Sequence, residues 1–256
     1  MTAPKKHSKV ETGFHIVLNN LVQLNVAVDE IGPDYNPPTP DISASALITK
    51  ENNTVPVMDF WETTEADEQA IQIARYNGFH NIPELNIRIV SMMITYGADK
   101  KLIKNTRSIV RSLRGARKYV PKAKAAAKAV PDAGSELAKI LKRSVSSLSF
   151  VNRVGKLEKL VKIIGEIPGY NPNEPDLKIP ALNAYIADLK LLNKNEGKTS
   201  KKAKNARAAR DKALFDFKTG VVTLGARAKN YIKSAFGPKS SQYALVKNLT
   251  FTNLLR

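Results

Sequence analysis

The chain has 256 residues, with 41 Lys and Arg against 23 Asp and Glu, three His, no Cys and a formal net charge of +18. That length accommodates one large domain or two small ones, and 43% hydrophobic with 25% charged residues is a globular rather than a disordered composition. The missing cysteines exclude a disulfide scaffold, thiolate metal ligation and thiol catalysis. No apolar run approaches the roughly 20 residues that span a bilayer, and the opening MTAPKKHSKVETG has no apolar signal core. A soluble cytoplasmic protein is expected.

In chain order, Ile16, Leu18, Leu21, Val22, Leu24, Val28 and Ile31 recur at helical spacing and predict a first helix. The block Tyr35-Asn36-Pro37-Pro38-Thr39-Pro40-Asp41-Ile42 stops it, because proline cannot extend a helix and biases its predecessor toward extended backbone. Pro40-Asp41 predicts a restart, with the carboxylate near the positive end of a second helix over 41–52. A longer helical stretch with a kink near Pro83 is expected next, then an amphipathic tail helix after Gly97. A segment rich in Ala, Lys, Pro and Gly follows, with Pro121, Pro131 and Gly134 as breakers, and reads as a linker.

The pattern then returns. Leu157, Leu160, Val161, Ile164 and Ile167 repeat the first helix, and Tyr170-Asn171-Pro172-Asn173-Glu174-Pro175-Asp176-Leu177 matches the earlier block without a gap. A second helix is expected over 176–194. The third, from Thr199 to Phe236 without a proline, would be about 55 Å long. A weaker tail helix follows Gly237. There is no sustained strand alternation and no Asn-Gly hairpin joining two alternating runs. The expected fold class is all-α: two tandem antiparallel helical bundles related by internal duplication, with long helices. The expected boundaries are 1–114 for the first bundle, 115–142 for the linker and 143–256 for the second bundle.

The Tyr-Asn-Pro-x-x-Pro-Asp-Leu block, the ending Tyr231-Ile232-Lys233-Ser234-Ala235-Phe236-Gly237 and the basic segment after the first unit resemble an uncharacterised family of basic bacterial proteins with two helical units. The resemblance covers nearly the whole chain. It implies the fold and carries no activity, cofactor or site residue. The dense acidic stretch around Trp61 departs from that pattern.

Enzymatic motifs are missing: no phosphate-binding Gly loop, dinucleotide fingerprint, His-Glu-x-x-His or Gly-x-Ser-x-Gly occurs. A non-enzymatic protein without cofactor or metal is therefore expected. His7, His15 and His80 are scattered, which suits surface or helix-end roles better than ligation. Ten carboxylates lie between Asp29 and Glu68 with Lys50 the only base. Asp59, Glu62, Glu65, Asp67 and Glu68 on one face would offer oxygen ligands to a hard cation, yet no calcium-loop spacing appears, and a solvated acidic face fits better. Trp61 reads as core, and the Tyr-Asn-Pro block, present twice, as a folding element.

The positive charge is concentrated. Residues 100–131 hold 11 Lys and Arg and no acid. Lys100, Lys104, Arg107, Arg111 and Arg114, spaced four, three, four and three apart, make one helical stripe opposite Leu102, Ile103, Thr106, Ile109, Val110 and Leu113. Arg117, Lys118, Lys122, Lys124 and Lys128 extend it into the linker, and a second cluster spans Lys198 to Lys212, including Lys201, Lys204 and Arg207. A charged helix face is an ordinary way to meet water. However, like charges at i,i+4 weaken a helix, and the tail helix of the second unit keeps only Lys247 in place of the stripe. The expected function is polyanion binding, foremost sequence-independent binding of DNA or RNA by phosphate neutralisation at Lys100, Lys104, Arg107, Arg111, Arg114, Arg117, Lys118, Lys122, Lys124, Lys201, Lys204 and Arg207. An anionic membrane surface ranks lower, because the apolar face of 102–113 lacks Trp and Phe. The alternative is a self-assembling scaffold, a homo-oligomer whose acidic 29–68 and basic 100–131 regions pair between chains.

Overall fold

The computed structural model describes residues 9–113 and 149–254. All regular structure among them is helical: α1 (Lys9–Ile31), α2 (Ala44–His80), α3 (Ile82–Thr95), α4 (Lys100–Leu113), α5 (Phe150–Gly165), α6 (Ile179–Phe215), α7 (Val221–Phe236) and α8 (Ser241–Val246), with short 3-10 turns. The 115–142 linker lies outside the described residues.

The apolar spacing acts as expected in α1, where Phe14, Val17, Leu21, Leu24 and Val28 are buried, and in α5, where Val154, Leu157, Leu160, Val161 and Ile164 are. Ser149 caps α5 by accepting from the Asn152 N–H at 3.2 Å. Gly32 ends α1 at φ +65°, a conformation that costs a residue without Cβ little. Gly97 ends α3 at φ +69°, with the Ala98 N–H on the Met93 carbonyl (3.0 Å) and the Gly97 N–H on the Ile94 carbonyl (3.0 Å), a Schellman closure.

The long helices differ from expectation. Both α2 and α6 run for 37 residues without interruption. They begin at Ala44 and Ile179, after the Pro-Asp turns rather than on them, and pass through the expected breaks at 52 and 194–199. Pro56 lies inside α2; the carbonyl of Asn52, which it leaves without a donor, belongs to an exposed residue. The expected continuous helix from Thr199 to Phe236 is instead divided at residues 216–220. The Asp216 carboxylate accepts from the backbone N–H groups of Lys218 (3.0 Å) and Thr219 (2.8 Å), and the Gly220 N–H bonds the Asp216 carbonyl (2.9 Å), so this turn competes with helix. These hydrogen bonds hold the Asp216 carboxyl below its usual range. A Cβ at Gly220 would fall 2.5 Å from the Asp216 nitrogen and 2.8 Å from the Leu214 carbonyl oxygen. Gly220→Ala is therefore expected to destabilise the protein by about 1–3 kcal/mol, measured by urea unfolding; an unchanged midpoint contradicts the tight-turn account. In the first half, Asn81 separates α2 from α3, and Pro83 sits in the first turn of α3, where its missing N–H is harmless.

Packing divides the described residues into two compact units, one drawn from residues 1–68 with 199–256 and the other from residues 69–198. This differs from the boundaries expected along the sequence. A 37-residue helix extends about 55 Å, more than a bundle core of this size covers, so the two ends of α2, and likewise of α6, are buried in different cores. The first core joins Leu21, Leu24, Leu47, Met58 and Trp61 to Leu214, Val221 and Ile232. The second joins Phe79, Ile82, Ile89 and Met93 to Leu157, Leu160, Ile164 and Leu182. No helix among the described residues is long and apolar enough to cross a membrane.

Each unit contains one Tyr-Asn-Pro block in the same arrangement. Tyr35 donates to the Ile42 carbonyl at 2.7 Å, and Tyr170 to the Leu177 carbonyl at 3.1 Å. The Asn36 N–H donates to the Tyr231 hydroxyl (3.2 Å) and the Asn171 N–H to the Tyr96 hydroxyl (3.3 Å). Burial first and the adjacent tyrosine second push the Tyr170 hydroxyl up to about 12, and both raise Tyr35 further. Asp41 forms a two-pronged ion pair with Arg227, and Asp176 with Arg88; the guanidinium holds each carboxyl below its usual range.

Candidate polyanion-binding site

Helix α4 starts on Asp99, whose carboxylate caps the N–H groups of Lys101 (2.8 Å) and Leu102 (3.4 Å). Thr106, Val110 and Leu113 are buried, and the Ser112 carbonyl accepts from the Lys156 ammonium of α5 at 3.2 Å. With that face docked against α3 and α5, Lys100, Lys104, Arg107 and Arg111 are exposed on the other. None of the four is ion-paired among the described residues. Lys101, which the 4-3-4 spacing leaves out, is also exposed and flanks them. The stripe is thus a row of solvated cations on a helix anchored by its opposite side. Its continuation at Arg114, Arg117, Lys118, Lys122, Lys124 and Lys128 lies outside the described residues.

The second basic cluster belongs to the other unit and is arranged differently. Lys201 and Lys204 are exposed and unpaired among the described residues. Arg207 is already paired within its unit: its guanidinium engages Glu65 through two nitrogens and Glu68 through one. The hydrogen bond to Glu65 is the main reason the Arg207 pKa is raised, and the same bond lowers that of Glu65. Arg207 therefore differs from the solvated cations: it stays partly exposed, but Glu65 and Glu68 of α2 balance its charge. Lys202 lies 3.6 Å from Asp67. Arg210 is buried, its guanidinium 3.7 Å from the Phe14 ring centre and 4.4 Å from that of Trp61, with Asp211 as its anion. In the second unit Arg75 is placed likewise, 4.4 Å from the Phe150 ring centre and 2.7 Å from Glu196.

No known protein family, curated protein or solved structure matches the chain. The site rests on its own geometry.

Charge separates by unit. Residues 9–68 and 199–254 carry 14 Lys and Arg against 13 Asp and Glu, whereas residues 69–113 and 149–198 carry 15 against 8. The acidic stretch is largely engaged within its own unit: Glu62 with His15, Glu65 and Glu68 with Arg207, Asp67 with Lys202, Asp41 with Arg227, and Glu51 with the Asn25 amide at 2.6 Å. Among the described residues no three His, Asp or Glu converge in a metal-binding group. His80 stacks loosely on Tyr76, and His7 lies outside the described residues. Trp61 is in the first core, 5% exposed, and donates to Glu65 at 3.1 Å. A groove of about 460 Å³ between α5 and α6 is floored by Val161, Ile179 and Ile186 and bridged at its rim by Glu158 and Lys190 at 2.5 Å. It presents an ion pair and aliphatic walls, with no nucleophile–base pair along them.

Proposed function

We propose that the protein is a non-enzymatic, cytoplasmic polyanion-binding protein that holds nucleic acid through the exposed face of α4 without reading its sequence. The observation that carries this is that Lys100, Lys104, Arg107 and Arg111 form a row of exposed cations with no ion pair among the described residues, while Arg207 and Arg210 of the second basic cluster are engaged by partners inside their unit. Spacings of four, three and four residues set the cations about 4.5–6 Å apart along the helix, a pitch suited to successive phosphates. The exposed face of α4 has Asn105 and Ser108 between the cations and no aromatic ring. It supplies phosphate neutralisation and no stacking platform, which favours duplex over single strands. Lys201 and Lys204 are secondary contacts in this reading.

A titration of labelled duplex DNA and duplex RNA at two salt concentrations tests it. Four neutralised phosphates predict a log–log salt slope near −3.6, so affinity should fall about 100-fold between roughly 50 and 200 mM salt. No binding at the lower salt, or binding only to anionic vesicles, refutes the nucleic-acid reading. The alternative, self-assembly through acidic–basic pairing between chains, has less support because six of the ten acidic side chains of 29–68 already have partners within their own unit.

The same proposal includes a tandem duplication. Its support is the pair of equally long helices, the twin Tyr-Asn-Pro hydrogen bonds, and Arg75 and Arg210 on the rings of Phe150 and Phe14. It also includes antiparallel packing of α2 on α6 within each unit. In the first unit, Trp61 meets Arg210, Glu65 meets Arg207 and Asp67 meets Lys202, positions rising on one helix as they fall on the other.

A further inference from the structure

Each hydrophobic core is built from both halves of the chain. Residues 9–113 put Leu21, Leu47 and Trp61 into the first core and Phe79, Ile82 and Ile89 into the second. Residues 149–254 put Leu214, Val221 and Ile232 into the first and Leu157, Leu160 and Leu182 into the second. The apolar side chains of one half are thus divided between two cores, and in each core they are covered by the other half.

The polar contacts cross the same divide. In the first unit Asp41 meets Arg227, Glu65 and Glu68 meet Arg207, and the Asn20 amide donates to the Thr250 carbonyl at 2.7 Å. In the second, Arg88 meets Asp176, Arg75 meets Glu196 at 2.7 Å, and the Tyr185 hydroxyl donates to the Gly78 carbonyl at 2.6 Å. A Cβ at Gly78 would come within 2.6 Å of a Leu192 methyl, so α2 and α6 approach closely there. Helix α4 also depends on both halves, since it packs on α3 of its own half and on α5 of the other.

We propose that residues 9–113 and 149–254 are a complementary pair, each the partner that the other needs in order to fold, and that the pair holds without a covalent join between them. Helices shorter than about 12–15 residues are marginal in water, and most helical stability in proteins comes from packing an apolar face. Here that face is supplied across the divide. A join within one chain gives the two partners an effective concentration of about millimolar order; cutting it returns their association to mass action. This inference is independent of the polyanion reading, because mass and helicity report it with no ligand present.

Two full-length forms test it. In one, a recognition sequence for a site-specific protease is inserted between Gly134 and Ser135 and cut after folding. In the other, which needs no protease, residue 256 is joined to residue 1 by a glycine–serine bridge and the chain is opened between Gly134 and Ser135. Leu254 lies against Gly13, where a Cβ would come within 2.6 Å of its side chain, so a bridge there joins neighbouring segments. The cut protein should elute at the mass of the uncut chain with its helicity unchanged. Its urea midpoint should rise with each tenfold increase in concentration, while that of the uncut chain stays fixed. Separated in urea and returned to buffer, each piece should lose more than about half of its helical signal and regain it on mixing. The permuted chain should match the parent in helicity. Pieces that elute apart at micromolar concentration, a piece that keeps its full helicity alone, or a permuted chain that fails to fold overturns the proposal.

Discussion

Replacing Trp61 by alanine should destabilise the first unit by about 3–5 kcal/mol, the range for removing a large aromatic from a packed core. Trp61 is 5% exposed and meets Phe14 edge-on with ring centres 5.5 Å apart. The loss exceeds that of the hydrocarbon alone, because Trp61 also covers the Arg210 guanidinium at 4.4 Å. Without the indole, a cation only 8% exposed keeps Phe14 and Asp211 but loses one of its two aromatic walls. Trp61→Phe retains a ring and should recover more than half of the lost stability. Circular dichroism during urea unfolding is the suitable measurement, since Trp61 is the only tryptophan and its fluorescence disappears with it. A loss below about 1 kcal/mol would mean that the aromatic–guanidinium stack is peripheral to the core.

The contrast between Trp61 and the α4 stripe explains what the sequence made visible. The apolar periods of α1 and α5 and the proline blocks were readable because they act locally: each residue's role follows from neighbours within a turn or two. The long helices were hidden because their buried positions are not all apolar. In α2 the burial falls at Leu47, Thr54, Trp61 and Glu68, and in α6 at Leu182, Leu189, Ala203 and Arg210, on a seven-residue spacing with polar and small residues in it. Thr54 and Thr64 tolerate burial by donating to the carbonyls of Lys50 (2.7 Å) and Trp61 (2.9 Å) on their own helix. The division at Asp216 carries no proline, so only its side-chain hydrogen bonds to the following N–H groups reveal it. The pairing of Arg207 was hidden because its partners, Glu65 and Glu68, are 142 and 139 residues away in the chain. The α4 stripe needed no distant partner to be recognised.

Reversing Lys104, Arg107 and Arg111 to glutamate should abolish the proposed nucleic-acid binding, with at least about a 100-fold loss of affinity at low salt, because three phosphate-neutralising contacts become repulsive. The substitutions sit on exposed positions that make no ion pair among the described residues, while Thr106, Val110 and Leu113 keep the helix docked. Helicity and the unfolding midpoint should therefore stay within about 0.5 kcal/mol of the parent, as for surface substitutions generally. Lys104→Glu alone should already flatten the salt slope by about one. The control is the same reversal at Lys201 and Lys204, which lie in the unit whose described residues nearly balance in charge and should weaken binding by less than a tenth as much. Equal losses from the two sets would spread the binding over the whole cationic surface. Unchanged affinity after the α4 reversal would remove that helix from the interface. The sharp outcome is the asymmetric one, because it ties function to charge left unpaired after the fold has used what it needs.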